Sequence, residues 1–240
     1  METGLNVALS AQIADERRLT TIADNIANSN TTGFREIGIS FAEQVSRIAK
    51  SGVSFVTPGI APTSSTQGAL EETGNQLDFA INGAGWFLVQ TPSGDAITRD
   101  GRFKVDEEGN LVNLGGNPVL DQGGAPIQLN MALGPVRSDE AGILHQNNAI
   151  VGSVGVFDAD APDERFRNGS LLLLPDTAAV PVTDRGDYNV VQGFAERSNV
   201  NSVEQITRLI SVQRNFESVS SLIQQSESAL AQTIQMLSGK

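Results

Sequence analysis

The sequence lacks cysteine altogether and contains a single histidine, His145, among its 240 residues. The absence of thiols excludes disulfides, thiol nucleophiles and cysteine-ligated metal sites. One histidine cannot form a multi-histidine metal centre, and no motif provides it with a nucleophile for a catalytic triad. We therefore interpret His145 as a surface residue near the end of a predicted strand.

Basic and aromatic residues are also scarce. Lys and Arg number 16 against 28 Asp and Glu, which gives a formal net charge of -12, and aromatic residues make up 5% of the chain. Proteins that follow phosphate backbones or bind anionic lipid need a basic surface, so we expect no nucleic-acid partner. No apolar run approaches the roughly 18 residues of a membrane span, so we expect no membrane insertion.

The common signatures of catalysis, cofactor binding and secretion are missing as well. The sequence contains no Walker A loop, no GxGxxG fingerprint and no HExxH pair. We therefore predict no catalytic residue, no cofactor and no bound metal. The first residues do not combine a basic segment with an apolar one, so we expect no cleaved Sec signal.

The clearest pattern in the chain is an apolar stripe near its C-terminus. The stripe recurs every seven residues, at Leu209, Phe216, Ile223, Leu230 and Leu237. This repeat predicts one long helix over residues 202–240 with a seam for a partner helix. Ser202 is its predicted N-cap, with Gln205 at capping-box spacing. The alternative is a helix lying on its own β domain, but a helix of nearly forty residues would be about 55 Å long and would overhang that support.

A second apolar stripe lies near the N-terminus. It consists of Leu5, Leu9, Ile13, Ile22 and Ile26. Their spacing places them on one face of a helix that we expect to stop at Gly33. Each stripe is too narrow for a globular core and too long to leave in water, so each needs another helix. We predict that residues 1–34 and 202–240 pair as a discontinuous axial coiled-coil domain, whose residues form the assembly interface.

The middle of the chain holds most of the acidic excess and has a different pattern. Residues 35–76 are predicted as an extended arm, because Ser, Thr, Gly and Pro dominate much of this stretch. Residues 77–201 are predicted as a β-rich body, an antiparallel meander or partly closed barrel, because short apolar runs alternate with turn signals. Strands are predicted at 77–81, 86–90, 96–99, 102–106, 111–113, 118–120, 127–129, 143–146, 150–157, 171–174 and 189–191. The predicted fold is thus mainly β, with long terminal helices as a coiled-coil stem.

The acidic residues of the body offer two candidate sites. Residues 106–110 resemble part of a calcium loop but lack its regular alternation of oxygen ligands, so we interpret them as a hairpin turn. Asp78 together with Asp100 or Asp121 would supply a carboxylate pair for glycoside hydrolysis if they lay close together. This pairing keeps open a second function class, a secreted β-domain carbohydrate-binding protein or hydrolase. Trp86 is interpreted as a core residue.

Four segments of the chain, in order, resemble one protein family. Residues 23–35 look like the signature shared by flagellar rod, hook and hook-associated proteins. Residues 77–89 are similar to the body motif of that family, with Trp86 where Phe is usual, and residues 98–112 resemble the hairpin that follows. Residues 192–201 look like the element that introduces the C-terminal helix. The residues carried over as family motif positions are Asn25, Asn28, Asn30, Thr31, Gly33, Phe34, Asn199 and Asn201.

The resemblance implies a structural subunit of the periplasmic flagellar rod. Its implied partners are other rod subunits, copies of itself and the flagellar type III export apparatus, which would export it without a cleaved Sec signal. The short body has no room for the outer domain of a hook subunit. Residues 214–217 resemble the proximal-rod type, whereas Gln213 and Arg214 keep part of the distal-rod pattern, so a distal-rod subunit remains an alternative. The implied function is the transmission of torque from rotor to hook.

Overall fold

The computed structural model of the chain describes residues 2–38, 41–46, 53–58, 63–159, 167–168, 171–175, 178–182 and 188–237. A long helix stands at each end, α1 at Glu2–Ala27 and α2 at Ser202–Leu237, and a short 3-10 helix spans Met131–Leu133. The strands in the described ranges are β1 (Phe41–Ser46), β2 (Val53–Pro58), β3 (Leu70–Glu72), β4 (Phe79–Gly83), β5 (Phe87–Thr91), β6 (Gly94–Thr98), β7 (Phe103–Val105), β8 (Leu111–Asn113), β9 (Arg137–Ser138), β10 (Ile143–Gln146), β11 (Ala149–Ser153), β12 (Phe157–Asp158), β13 (Arg167–Asn168), β14 (Leu172–Leu173), β15 (Val180–Pro181), β16 (Tyr188–Gln192) and β17 (Phe194–Glu196).

The chain divides into two compact units. The first, called the helical unit here, comprises Met1–Ala27, Ile37–Ala61 and Asn201–Lys240. The second, called the β unit, comprises Asn28–Glu36 and Pro62–Val200. None of the described helices is both long and apolar enough to cross a membrane.

The helical unit is built from α1, α2 and one hairpin. The two helices pack against each other, and β2 packs against α1. Strands β1 and β2 pair antiparallel, from Phe41 opposite Pro58 to Ser46 opposite Val53. A polar contact also joins the helices, because Asn215 donates its Nδ2 hydrogen to Asp15 Oδ2 at 2.5 Å. The carboxylate of Asp15 is buried in this contact.

Two features of the N-terminal half differ from the sequence interpretation. The helix α1 ends at Ala27 rather than at Gly33, and a turn follows in which the Thr31 amide donates to the Asn28 carbonyl at 3.0 Å. The Asn, Ser and Thr side chains of residues 28–32 favour turns over helix interior, which explains the early stop. The hairpin of β1 and β2 lies within the stretch interpreted as an extended arm. The Ser and Thr residues of that stretch made the short strand pattern of residues 53–58 difficult to recognise.

The β unit is organised around a core of apolar side chains from its short strands. Phe103 lies at its centre, with its ring centroid 6.1 Å from that of Phe79 and 5.4 Å from that of Phe87. Strands β5 and β6 form a hairpin, as do β7 and β8. Strands β10 and β11 also form a hairpin, whereas the β4–β16 and β3–β17 pairs join distant parts of the chain.

The prediction of a β-rich body is confirmed, whereas the bounds of several strands differ from those predicted. The strands at 111–113 and 143–146 have the predicted bounds, as β8 and β10. The stretches predicted as strands at 118–120 and 127–129 form only isolated bridges, and 150–157 is divided between β11 and β12. The described strands form several small sheets rather than a closed barrel, and the β4–β16 and β3–β17 pairs depart from a meander.

Candidate functional site

The family-like segments at the two ends of the β unit meet in one place. Here the Gly33 amide donates to the Glu196 carbonyl at 2.7 Å. The Glu36 amide donates to Asn199 Oδ1, also at 2.7 Å. We call residues 33–36, 64–68 and 196–199 the junction. The junction therefore joins the segment that follows α1 in the chain to the segment that precedes α2.

The third segment of chain at the junction is the stretch that precedes β3. Arg35 donates from Nη1 to the carbonyls of Ser65 at 2.6 Å and Thr66 at 2.5 Å. Asn199 donates from Nδ2 to the same Thr66 carbonyl at 2.8 Å. The Ser64 amide donates to the Glu36 carbonyl at 2.8 Å. These bonds satisfy the backbone of residues 64–66, a stretch without regular secondary structure.

A buried ion cluster lies beneath the junction. The Glu196 carboxylate is 1% exposed and lies between two guanidinium groups, with Oε1 2.9 Å from Arg35 Nη2 and Oε2 3.0 Å from Arg99 Nη1. The Gly68 amide adds a bond to Oε1 at 3.1 Å. The ring of Trp86 covers both cations, at 5.6 Å from Arg35 Cζ and 5.3 Å from Arg99 Cζ. Trp86 is thus a buried residue, as predicted, with an added cation-π role.

The cluster has a net charge of +1, and burial disfavours the charged forms of its two arginines. Desolvation lowers the pKa of Arg99 to about 10, although the Glu196 carboxylate opposes that shift. Desolvation also lowers the pKa of Arg35, again against the effect of Glu196. Arg99 is further held by a bond from Nη2 to the Gly83 carbonyl at 2.9 Å. An arrangement of two cations, one carboxylate and backbone carbonyls fixes chain segments in place.

The backbone at position 33 of the motif requires glycine. Its φ is +73°, a left-handed conformation that residues with a Cβ adopt only at a cost in free energy. A Cβ added there would lie 2.3 Å from the backbone nitrogen of Asp100. The neighbouring Phe34 is fully buried.

The other predicted motif residues fall into three groups. Asn28 accepts a bond from the Thr31 hydroxyl at 3.1 Å and so stabilises the turn after α1. Asn30 is exposed. Asn25 is buried in the helical unit, where it bonds the backbone of Ile37.

The predicted N-cap of α2 is wrong by one residue. Ser202 is the first helical residue, and Asn201 is the cap. Asn201 Oδ1 accepts from the Glu204 amide at 3.3 Å, and its carbonyl accepts from the Gln205 amide at 3.0 Å. Asparagine caps a helix as well as serine does, so Asn201 can take this position.

The N-terminal stripe of the predicted assembly interface has two environments. Ile22 is buried and Ile26 is half-buried, whereas Leu9 and Ile13 are 50% and 45% exposed. The side chain of Leu5 lies outside the described residues. Half of the described stripe is therefore available to another molecule.

The C-terminal stripe is only partly covered. Leu209, Phe216 and Ile223 are half-buried, and the side chains of Leu230 and Leu237 lie outside the described residues. The heptad pattern did not single out Ile210 and Leu222, which lie off the stripe and are 46% and 59% exposed. Hydropathy alone, without periodicity, would have marked both positions.

The carboxylates considered for hydrolysis have structural partners. Asp100 forms a bidentate pair with Arg102, whose Nε and Nη2 lie 2.8 Å from its two oxygens. Asp78 accepts from Asn75 Nδ2 at 2.8 Å. Asp121 closes a turn by accepting the amide of Ala125 at 2.8 Å. These carboxylates stabilise the fold and do not form a free acid and base pair.

Residues 106–110 form the turn between β7 and β8, as interpreted from the sequence. Asp106 accepts from the Asn110 amide at 2.7 Å and from Asn110 Nδ2 at 3.0 Å. This side-chain bond lowers the pKa of Asp106. Among the residues that the structure describes, no three His, Asp or Glu side chains converge on a possible metal position.

Three protein-family models match successive parts of the chain. The model described as "Flagella basal body rod protein" matches residues 5–35. The model described as "Flagellar hook protein FlgE/F/G D1 domain" matches residues 80–147. The model described as "Flagellar basal body rod FlgEFG protein C-terminal" matches residues 191–236. The matches include the segments on both sides of the junction.

Similar proteins extend over the whole chain. The flagellar basal-body rod protein FlgF of Mesorhizobium japonicum is 48% identical over 240 residues, which is 100% of both chains. The FlgF protein of Rhizobium meliloti is 45% identical over 100% of this chain and 99% of its own. The flagellar basal-body rod protein FlgG of Bacillus subtilis is 31% identical over 92% of this chain and 94% of its own.

Proposed function

The chain belongs to the FlgF family of flagellar basal-body rod proteins, and from this membership we propose that it is built into the rod through its two terminal helices. It is a structural subunit of the proximal rod and not an enzyme. The closer similarity to FlgF than to FlgG proteins favours the proximal over the distal position. The carbohydrate-binding or hydrolase alternative has no support, because its candidate carboxylates stabilise the fold.

One observation carries the proposal. The helices α1 and α2 pack against each other, yet they leave apolar side chains such as Ile13 and Ile210 about half exposed. Apolar side chains on a long helix favour further packing, because burial removes their surface from water. The interface residues predicted from the two stripes would therefore contact neighbouring subunits in a coiled-coil arrangement.

Assembly of this kind suits a torque-bearing rod. A helical polymer requires heterologous contacts that do not close into a ring. Long helices packed along an axis supply such contacts and resist bending, since their side chains interlock over many turns. The excess acidic charge lies in the middle of the chain and would keep the β unit hydrated in the assembled rod.

The proposal also includes a route and a location. Rod subunits and copies of this chain would be its partners, together with the flagellar type III export apparatus. We propose that this chain lies in the periplasmic part of the basal body and is exported without a cleaved Sec signal. Tagged protein in the culture of an export-deficient strain would contradict this route.

A charge placed in the C-terminal stripe tests the assembly proposal. In a strain with an in-frame deletion of the gene, complementation with wild-type chain should restore swimming and complete basal bodies. Complementation with Ile223→Asp should leave truncated rods without hooks, because a charge buried in an apolar seam remains unpaired. Basal bodies purified from each strain can be imaged by electron microscopy.

The matched control is Gln224→Asp, which adds the same charge one position away at an exposed site. This variant should swim normally. Circular dichroism of both purified variants should equal that of the wild type, which separates an assembly defect from unfolding. Normal swimming of the Ile223→Asp strain would refute the assignment of this stripe to the interface.

A further inference from the structure

Glu196 bonds three segments of chain that are far apart in sequence. Its backbone carbonyl accepts the Gly33 amide. Its carboxylate meets Arg35 and the Gly68 amide at Oε1 and Arg99 at Oε2. The segment after α1, the stretch before β3 and the end of β6 thus share one buried residue, which the sequence analysis did not single out.

Residues 33–36 pack into a site formed by the surrounding segments, which we call the seat. This seat is complete only when Glu196 is present. The side of this seat formed by β6 and its following loop brings Arg99 and the Asp100 backbone. Arg35 enters the same space, and its guanidinium is buried beside that of Arg99 over the Trp86 ring. Two buried cations disfavour each other and each loses its hydration, so this approach is unfavourable until a carboxylate lies between them.

Glu196 reaches this position through the pairing of β17 with β3. In that pair Glu196 lies opposite Leu70 and Ala195 opposite Glu71. The Arg197 amide extends the pair by donating to the Ala69 carbonyl at 2.8 Å. The carboxylate is therefore delivered by the last strand of the β unit, shortly before α2 begins in the chain.

We propose that Glu196 is a positioning residue that makes the seating of residues 33–36 on the rest of the β unit conditional on the pairing of β17. When β17 is unpaired, two buried arginines oppose seating. When β17 is paired, the carboxylate joins both arginines and the Gly33 amide gains its acceptor. The segments next to α1 and α2 are thereby fixed together, and only after the β unit is complete.

The consequence for the rod rests on the proposed function, whereas the switch itself is a property of the isolated chain. A subunit whose residues 33–36 are unseated would join the rod poorly, even with an intact helix seam. The coupling can be measured without any rod, by hydrogen exchange of the purified full-length chain.

The test compares amide exchange in wild type and Glu196→Gln. The Gly33 amide reports seating, and the Val119 amide, bonded to the Leu111 carbonyl at 2.8 Å, reports the core. In Glu196→Gln we expect the protection of Gly33 to fall at least about tenfold more than that of Val119, because the local opening precedes global unfolding. Removing the second charge in Glu196→Gln with Arg35→Met should recover part of the protection of Val119 and of the folded yield.

The matched control is Glu71→Gln on the partner strand β3. Its carboxylate pairs with Arg197 at 3.5 Å and is 60% exposed. This variant loses the same charge in the same sheet, so it should leave the exchange of Gly33 unchanged. The Ile223→Asp variant should also keep wild-type exchange at Gly33, which separates a failure of seating from a failure of the helix interface.

Two outcomes would overturn the proposal. One is wild-type protection of Gly33 in Glu196→Gln, and the other is an equal loss at Gly33 and Val119, which would indicate a general structural role. If Glu196→Gln does not fold, Arg35→Gln serves in its place. In this background the two cations no longer oppose each other, so adding Glu196→Gln to Arg35→Gln should lower the protection of Gly33 no more than that of Val119.

Discussion

Asn25 and Ile37 exchange a pair of hydrogen bonds, both 2.9 Å long. The side-chain Nδ2 of Asn25 donates to the Ile37 carbonyl, and the backbone amide of Ile37 donates to Asn25 Oδ1. Both residues are buried in the helical unit. The side chain thus acts as a backbone partner for residue 37, where the chain returns to the helical unit.

Replacing this side chain should destabilise the protein measurably. Asn25→Ala leaves a buried N–H and a buried carbonyl of Ile37 without partners, so we expect a loss of about 2–4 kcal/mol in the free energy of unfolding. Urea denaturation followed by circular dichroism measures this loss. Asn30→Ala, at an exposed motif position, is the control and should change the stability by less than about 0.5 kcal/mol. Equal effects would contradict the assigned role of Asn25.

Two glycines with similar backbone angles allow steric contact and backbone strain to be separated. Gly33 has φ +73° and faces the Asp100 backbone, whereas Gly74 has φ +69° and no atom within 4 Å of an added Cβ. Gly74→Ala should cost only the strain of the left-handed conformation, about 1–2 kcal/mol. Gly33→Ala should cost at least about 3 kcal/mol, because the backbones at the junction must also separate. Thermal denaturation of the two variants provides the comparison, and equal costs would exclude the contact.

The N-cap of α2 offers a direct test between two adjacent residues. Asn201→Ala should cost about 1 kcal/mol, because its side chain accepts the Glu204 amide. Ser202→Ala should cost less than about 0.5 kcal/mol, since position 202 is the first helical residue. Urea denaturation of both variants measures the difference. A larger loss in Ser202→Ala would restore the cap that the sequence suggested.

The sequence predicted local elements well where turn residues bracket them. The strand at 143–146 has its predicted bounds as β10, and it is followed by Asn147 and Asn148, which adopt positive φ. By contrast, the pair of β3 and β17 escaped prediction. Neither Leu70–Glu72 nor Phe194–Glu196 alternates apolar and polar residues. The two strands are far apart in the sequence and pair only in the folded chain.

The same limit applies to the candidate site. The motif resemblance marked Gly33 and Asn199, of which Gly33 bonds to the Glu196 carbonyl and Asn199 to the Glu36 amide. It gave no sign that Glu196 would be buried between Arg35 and Arg99. Periodicity and turn chemistry describe neighbours along the chain, whereas this cluster depends on strand pairing over long sequence separations.

The Asp106 turn predicts a pH dependence with a defined sign. The Asn110 side chain is the main cause that lowers the pKa of Asp106 in the folded state. A carboxyl group with a depressed folded pKa contributes stability that is present above its unfolded pKa and is lost as the pH falls through the folded value. Asn110→Ala should raise the Asp106 pKa toward its ordinary value and flatten this acid dependence. Carboxyl-carbon NMR titration measures the change.

The neighbouring turn supplies the control for this titration. Asn113 Oδ1 accepts the Asn117 amide at 2.8 Å, an equivalent bond without a carboxylate. Asn113→Ala should leave the pKa of Asp106 unchanged while it removes a comparable turn contact. A similar rise of the pKa in both variants would mean that general loosening of the hairpin, not the Asn110 bond, sets the Asp106 value.

The exposed and buried halves of the α1 stripe should respond differently to truncation. Ile22 is 2% exposed and Ile13 is 45% exposed. In the isolated chain, Ile22→Ala should lower the free energy of unfolding by about 2–5 kcal/mol, because it leaves a cavity. Ile13→Ala should change it by less than about 0.5 kcal/mol. Denaturation of the purified variants measures both values.

In the cell, a charge at the exposed position 13 should impair function, although truncation of Ile13 hardly changes the stability of the isolated chain. Ile13→Asp keeps the isolated chain folded, because water still reaches position 13, but it should abolish swimming if this face packs on a neighbouring subunit, where the charge would be desolvated and unpaired. Thr20→Asp adds the same charge on an exposed polar residue of α1 and should swim normally. Basal bodies that lack hooks only in the Ile13→Asp strain would assign the exposed half of the stripe to contacts between subunits. Normal swimming of that strain would restrict the role of α1 to packing within its own chain, because only the buried half would then matter.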